Sequence, residues 1–142
     1  MHPLHPMVVH FPIALLSASV LFDILSSRWR QEDMRVASLY TLILGLAGAL
    51  VAVITGAVAE EAVEHSGVPE RVLEIHETLG FTTCWLFAGL LGLRVAEWFG
   101  WICERRSWSI SLGMGAVTVL IIASYYGGSL VYEFGAGVAG QR

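Results

Sequence analysis

The segment that decides the fold runs from Val36 to Val58 and reads VASLYTLILGLAGALVAVITGAV, without one charged side chain. It is longer than the ~20 residues that an α-helix needs to cross about 30 Å of hydrocarbon. Three further apolar segments lie at Met7 to Leu25, Thr78 to Phe99 and Trp108 to Tyr132. Because an open sheet leaves backbone groups unsatisfied in lipid, the sequence predicts four transmembrane helices in an up-down-up-down bundle.

The composition agrees with a single membrane-embedded domain covering residues 1–142. The chain is 56% apolar and only 14% charged, with a mean hydropathy of +0.68, whereas soluble domains are about 25% charged. This excludes a soluble enzyme domain and a disordered chain. A nucleic-acid binder would need a basic patch, but the chain has eight arginines, no lysine and a net charge of −4. Two cysteines, Cys84 and Cys103, form no disulfide framework, and we expect both to be reduced.

Arginine placement predicts the orientation of the bundle. Six arginines lie in or beside the first and third connections: Arg28, Arg30, Arg35, Arg94, Arg105 and Arg106. The middle connection holds Arg71 among several glutamates. The positive-inside rule therefore places the first and third connections in the cytoplasm and both termini outside. No basic segment precedes the first apolar stretch, so we interpret it as a span and not as a secretory signal. The predicted location is a bacterial inner (cytoplasmic) membrane.

All five histidines fall on the predicted outer side: His2, His5, His10, His65 and His76. His10 and His76 lie near the first turns of the first and third spans, which are diagonal neighbours in a four-helix bundle. Small residues follow each of them, among them Ala14 after His10 and Gly80 after His76. Two opposed imidazoles beside small residues predict a slot for haem b, with His10 and His76 as axial ligands. His5 is the reserve ligand, and Arg71 is placed to pair with a propionate.

Two other interpretations of the histidines stay open. They could be interfacial side chains bonded to loop carbonyls, with no cofactor. Alternatively, Cu or Zn could bind at the outer face among His5, His10, His65, Glu61 and Glu64. The sequence contains no Ser-His-Asp, Cys-His, Walker or dinucleotide-binding pattern, so hydrolase and nucleotide chemistry lack support.

Three features concern the spans themselves. Asp23 and Arg94 lie inside the first and third spans, and we expect them to form a structural ion pair across the bundle because a lone charge in lipid is costly. Pro12 lacks the amide that would bond to Val8, which predicts a kink near His10. In the second span, Gly48, Ala52 and Gly56 recur every four residues, a pattern typical of close helix packing.

The ends of the chain are similar to a known family. HPLHPMVVHFP at residues 2–12, followed by Phe22-Asp23, resembles the start of the bacterial four-helix membrane proteins called domain of unknown function 2231. Thr55-Gly56, His76 and GGSLVYEFGAGV at residues 127–138 resemble its remaining blocks. The resemblance implies a layout like that of small b-type cytochromes, and relatives fused to Rieske iron–sulfur domains would indicate membrane redox chemistry.

The last block departs from the family pattern, since Glu133-Phe134 stands where Arg-His is expected. This departure either favours His10 and His76 as the ligands or means that this member has lost a site. The function we expect is a cytochrome-b-like subunit that passes electrons within a larger membrane redox complex, with a quinone as one candidate partner. It would have no substrate site of its own. The alternatives are a non-catalytic structural subunit and an outer-face Cu or Zn protein.

Overall fold

The structure is a computed structural model that describes residues 4–64 and 68–136, with side chains from residues 5–59 and 68–136. All regular secondary structure in the described part is helical, and that part contains no strand. Its elements are α1 (Leu4–Val8), α2 (His10–Leu25), α3 (Gln31–Glu64), α4 (Glu70–Trp98) and α5 (Arg106–Tyr132). Four helices are long and apolar enough to cross a membrane, the first of them running through α1 and α2 from His5 to Leu25. The predicted all-helical class with four spans is confirmed.

The first span is interrupted at Val9, between α1 and α2. Pro12 has no amide hydrogen, so the carbonyl of Val8 loses its helical donor one turn earlier. The chain nevertheless continues in nearly helical form, since the Val9 amide bonds to His5 O at 3.1 Å and the Ile13 amide to Val9 O at 3.3 Å. The interruption lies at the position where the proline predicts a kink.

The helices extend beyond the apolar segments that predicted them. We expected the second and third spans at about 36–58 and 78–99, but α3 begins at Gln31 and α4 at Glu70. Their first turns carry acidic residues, which interact favourably with the positive end of the helix dipole. Hydropathy therefore predicts the segment of each helix that lies in lipid, but it does not predict the polar helical turns outside the lipid.

Two helical hairpins pack into one bundle. The first hairpin consists of α1, α2 and α3, and the second of α4 and α5; they meet where α3 contacts α4 and where α2 contacts α5. The side chains of Leu16, Leu42, Phe87 and Leu90 are fully buried in the core. Gly45 lets α3 approach α2 closely, because a Cβ there would lie 2.8 Å from Leu16 Cδ2. The small residues of α3 thus serve helix packing.

The two ends of the bundle differ in chemistry. We call the end that carries His5, His10 and His76 the histidine end, and the opposite end, where the first and third connections lie, the arginine end. Four tryptophans are exposed at the arginine end: Trp29, Trp98, Trp101 and Trp108. Large apolar side chains are also exposed along the helices, as lipid-facing surfaces require. Both cysteines are free thiols, Cys84 half-buried in α4 and Cys103 exposed.

Candidate functional site: a histidine pair between the hairpins

Two histidines face each other where the hairpins meet at the histidine end. His5 comes from α1 and His76 from α4, six residues after that helix begins. Their ring centroids are 6.1 Å apart and the rings are nearly perpendicular, with an angle of 81° between planes. Both side chains are half-buried. The structure therefore forms an imidazole pair from the two halves of the bundle.

Each ring is held by a backbone carbonyl of its own hairpin. His5 Nδ1 lies 2.8 Å from the carbonyl oxygen of Ala52 in α3, and His76 Nδ1 lies 3.0 Å from that of Ala123 in α5. A carbonyl only accepts, so Nδ1 is the donor in both rings, and in the neutral imidazole Nε2 then carries the lone pair. A metal-binding histidine is usually oriented by such a bond, which fixes the tautomer and leaves the other nitrogen to coordinate.

Glycines allow the rings to lie directly against the neighbouring helix backbone. A Cβ at Gly56 would lie 3.1 Å from Cε1 of His5, and a Cβ at Gly127 would lie 2.8 Å from Cε1 of His76. A side chain at Gly127 would displace the His76 ring, and one at Gly56 would press on the His5 ring more mildly. Within the small-residue stripe of α3, Gly56 is thus a residue that packs against a histidine ring, that of His5.

The two histidine environments are copies of each other, 71 residues apart in sequence. His5, Ala52 and Gly56 correspond at this spacing to His76, Ala123 and Gly127, and further identical pairs are Arg35 with Arg106 and Ser38 with Ser109. Asp23 and Arg94, which are in contact, are separated by the same 71 residues. The two hairpins therefore repeat one structural arrangement at a spacing of 71 residues.

This repeat defines an approximate two-fold axis. Equivalent residues can touch each other only on such an axis, and two equivalent pairs do so: His5 with His76, and Asp23 with Arg94. The axis consequently runs along the bundle from the histidine end to the arginine end. The repeat was not predicted from the sequence, because few residues are identical at this spacing and the equivalence becomes clear only from the matching contacts.

The second contact on the axis is a buried ion pair. Arg94 Nη2 donates to Asp23 Oδ2 at 2.8 Å, and the two side chains are only 9% and 12% exposed. Arg94 Nη1 also donates to Ser38 Oγ at 2.6 Å and to Ser19 Oγ at 3.2 Å. The guanidinium of one hairpin is thus bonded to three side chains of the other. Between this group and the histidines lies the apolar core.

His10 does not meet His76. Its ring is exposed, and its Nδ1 bonds to the carbonyl of Pro6 on its own helix at 2.8 Å. Ala14, expected beside the slot, is exposed as well. Residues five positions apart on an α-helix point about 140° apart, so His5 and His10 cannot both face the bundle interior. The expected pairing of His10 with His76 is corrected to His5 with His76, and His5 was the reserve candidate.

The other predicted site residues lie around the pair or outside the described residues. Arg71 is exposed on α4, five residues before His76, and a Cβ at Gly80 would meet no atom within 4 Å. His2, His65 and the side chains of Glu61 and Glu64 fall outside the described residues. Within residues 5–59 and 68–136, no three His, Cys, Asp or Glu side chains come together as metal ligands.

Comparison with known proteins identifies the family of the chain. Residues 1–140 match the family model described as "Predicted membrane protein (DUF2231)". No curated protein and no solved structure matched the chain. The match covers all four spans and both histidines of the pair, in agreement with the resemblance seen in the terminal motifs. The chain belongs to the DUF2231 family of predicted membrane proteins.

Proposed function

We propose that this protein is a cytochrome-b-like membrane subunit in which His5 and His76 hold one haem b between the two hairpins. The observation that carries the proposal is the imidazole pair on the two-fold axis, with each Nδ1 bonded to a carbonyl. Two histidines, one from each of two helices, are a common ligand set for an electron-transferring haem. The pair replaces the set of His10 and His76 expected from the sequence.

The donor chemistry and the spacing of the pair fit this ligand. Two collinear bonds of about 2 Å from a metal place the coordinating nitrogens about 4 Å apart. The ring centroids are 6.1 Å apart, a separation that leaves room for one metal atom when both Nε2 atoms turn towards it. Gly56 and Gly127 place no side chain beside the imidazoles. Arg71, exposed on α4, is a cationic partner for a propionate at the edge of the bundle.

When bound, haem b would supply one-electron transfer, with a potential set by its axial ligands and its burial. The protein's own contribution is to orient the rings and to limit water. The carbonyls of Ala52 and Ala123 keep both imidazole rings in the tautomer with the proton on Nδ1. The fully buried side chains of Leu16 and Phe87, which occupy equivalent positions of the repeat, close the bundle beneath the pair. Because the candidate haem site lies at the histidine end, we expect electron exchange with partners at that end.

We further propose that the arginine end faces the cytoplasm and the histidine end faces outward across a bacterial inner membrane. The six arginines of the first and third connections support this orientation through the positive-inside rule. A haem at the outward face would exchange electrons with a larger membrane redox complex, and a quinone is a candidate donor from the lipid phase.

An optical spectrum of the purified protein tests the proposal. The protein would be expressed in cells supplied with a haem precursor and extracted in mild detergent. We expect a Soret band and sharp α and β bands after reduction, with one haem per chain. A colourless protein without metal would instead indicate a structural subunit. Copper or zinc found by elemental analysis in place of haem would indicate a metal site of another kind.

A further inference from the structure

The two polar contacts on the axis are separated by the same number of residues in both hairpins. Asp23 follows His5 by eighteen residues on the first span, and Arg94 follows His76 by eighteen residues on α4. Eighteen residues make five turns of α-helix, a rise of about 27 Å, so both members of each set lie on one helix face. The two helices run in the same direction. A contact that places Asp23 and Arg94 at the same height along the bundle axis therefore places His5 and His76 at the same height too.

We propose that the Asp23–Arg94 ion pair is a positioning device for the histidine pair: it fixes the height and rotation of one hairpin against the other. The consequence for a ligand rests on the proposed haem function, whereas the positioning itself does not. Neither residue touches the imidazoles, so both are positioning residues, acting through the helices that join the two ends of the axis.

The contacts at the arginine end are directional. Arg94 binds Asp23, Ser38 and Ser19 at 2.8, 2.6 and 3.2 Å. A slip of one helical turn moves the hairpins about 5.4 Å relative to each other and breaks all three bonds. It would leave a guanidinium and a carboxylate unpaired in a buried site, an outcome that the low-polarity surroundings strongly disfavour.

The contacts at the histidine end are not directional between the hairpins. His5 and His76 bond to carbonyls within their own hairpins, and the two rings approach each other with centroids 6.1 Å apart, a contact that does not fix the relative height of the hairpins. The core between the two ends is packed from apolar side chains such as Leu16 and Phe87, which make no directional bonds. The histidines therefore follow their hairpins, whose relative position is set by directional bonds at the arginine end: those of Arg94, and the bond from Arg106 to Ser26.

A second ion pair at the arginine end provides a matched control. Arg35 Nη1 lies 3.2 Å from Glu104 Oε2 and also joins the two hairpins, but these side chains are 32% and 43% exposed. Exposed pairs are weakened by water and salt. Loss of this pair should leave the register of the hairpins unchanged.

Cross-linking measures the register without any haem. In a background with Cys84→Ser and Cys103→Ser, a short thiol cross-linker would be applied to His5→Cys paired with His76→Cys, or with Gly80→Cys one turn further along α4. We expect the 5/76 pair to be cross-linked in strong preference to the 5/80 pair. Addition of Asp23→Asn should abolish that preference, and addition of Glu104→Gln should not.

Exchange of the two charges provides the rescue. Because the two positions are equivalent in the repeat, Asp23→Arg combined with Arg94→Asp restores an ion pair on the axis. Ser109 is the buried counterpart of Ser38 and is the equivalent partner for the exchanged arginine. We expect this double variant to recover the 5/76 preference. If Asp23→Asn does not accumulate in membranes, the exchanged variant decides alone: recovery of accumulation and preference supports the proposal, and failure of either overturns it.

With both histidines intact, the spectrum supplies the second readout. Asp23→Asn should shift haem from the low-spin towards the high-spin form, and the exchanged variant should reverse the shift. If neither the unchanged protein nor any variant binds haem but the cross-linking results are as expected, the haem proposal is overturned. The proposed role of the ion pair in positioning the histidines would then still stand. An unchanged 5/76 preference in a well-inserted Asp23→Asn protein would overturn the positioning, whatever the haem content.

Discussion

His5 and His76 each donate a hydrogen bond from Nδ1 to a carbonyl 47 residues further along the chain, at Ala52 and at Ala123. The same local arrangement is thus built twice, once in each hairpin. Each copy contributes one histidine ring, with Nδ1 bonded and Nε2 left to coordinate. The pair arises only where the hairpins meet, so the candidate site belongs to the contact between two repeats.

The ligand assignment distinguishes His5 from His10. Alanine at position 5 or 76 should abolish haem retention or convert the remaining haem to a high-spin form, because one axial nitrogen is lost. Alanine at position 10 should leave the spectrum unchanged, since that ring is exposed and bonds to Pro6 of its own helix. Reduced-minus-oxidised spectra of the three variants provide the check. A lost spectrum in His10→Ala with a retained one in His5→Ala would contradict the assignment.

Two glycines should be as sensitive as the histidines beside them. Gly127→Ala introduces a methyl group 2.8 Å from Cε1 of His76, and Gly56→Ala introduces one 3.1 Å from Cε1 of His5. The rings must move, so we expect a weakened or shifted haem spectrum, with the larger effect at Gly127. Gly89→Ala, in open space on α4, is the control. Equal spectra in all three alanine variants would show that ring placement tolerates the added methyl groups.

The buried ion pair should show strong coupling in stability. Asp23→Asn or Arg94→Gln leaves the partner charge buried alone, which costs about 3–5 kcal/mol. The double variant should lose less than the sum of the two single variants. Unfolding in detergent micelles measures all three. For the exposed Arg30–Asp33 pair, with side chains 60% and 58% exposed, the coupling should be only about 0.2–1 kcal/mol. Additive losses at positions 23 and 94 would mean that the two charges act independently.

The proposed orientation can be measured with one native and one introduced thiol. Cys103 is exposed at the arginine end, so a membrane-impermeant reagent should label it only from the cytoplasmic side. Glu70→Cys, combined with Cys103→Ser, places an exposed thiol at the start of α4 near the histidine end and should be labelled from outside. Cys84→Ser removes the remaining thiol in both proteins. The reverse labelling pattern would invert the topology.

Hydropathy predicted the spans well because lipid imposes one dominant constraint. A helix such as α3 crosses the hydrocarbon with an uncharged run from Val36 to Val58, and that run is visible in any sequence window. The ends of the helix are less visible. The turns from Gln31 to Arg35 are polar, and nothing in their hydropathy separates a helical turn in water from a loop.

The sequence could place the histidines at one end of the bundle, but it could not decide which of them face inward. Depth follows from position along the span, whereas facing depends on how the hairpin packs. The sequence places His10 nearer the estimated membrane boundary, but His5 is the residue that faces α3, where its ring bonds to the carbonyl of Ala52. Depth and the small residues that follow His10 therefore did not predict that His5 is the residue whose ring meets His76.

The internal repeat was detectable in principle and weak in practice. Few residues are identical at the spacing of 71, because most lipid-facing and core positions accept any apolar side chain of suitable size. Leu16 and Phe87 illustrate this, since they differ in shape but occupy equivalent buried positions. Three of the identical residues form the histidine environment: a histidine, the alanine whose carbonyl binds it and the glycine beside it.

The opposite charges at positions 23 and 94 also determine which hairpins can associate. Two copies of the first hairpin would bring two aspartates together on the axis, and two copies of the second would bring together two arginines. Each half is thus prevented from forming a homodimer and fitted to the other half. If the chain were divided in the connection after Glu64 and the halves expressed from separate genes, fragment complementation should rebuild the bundle only from one copy of each.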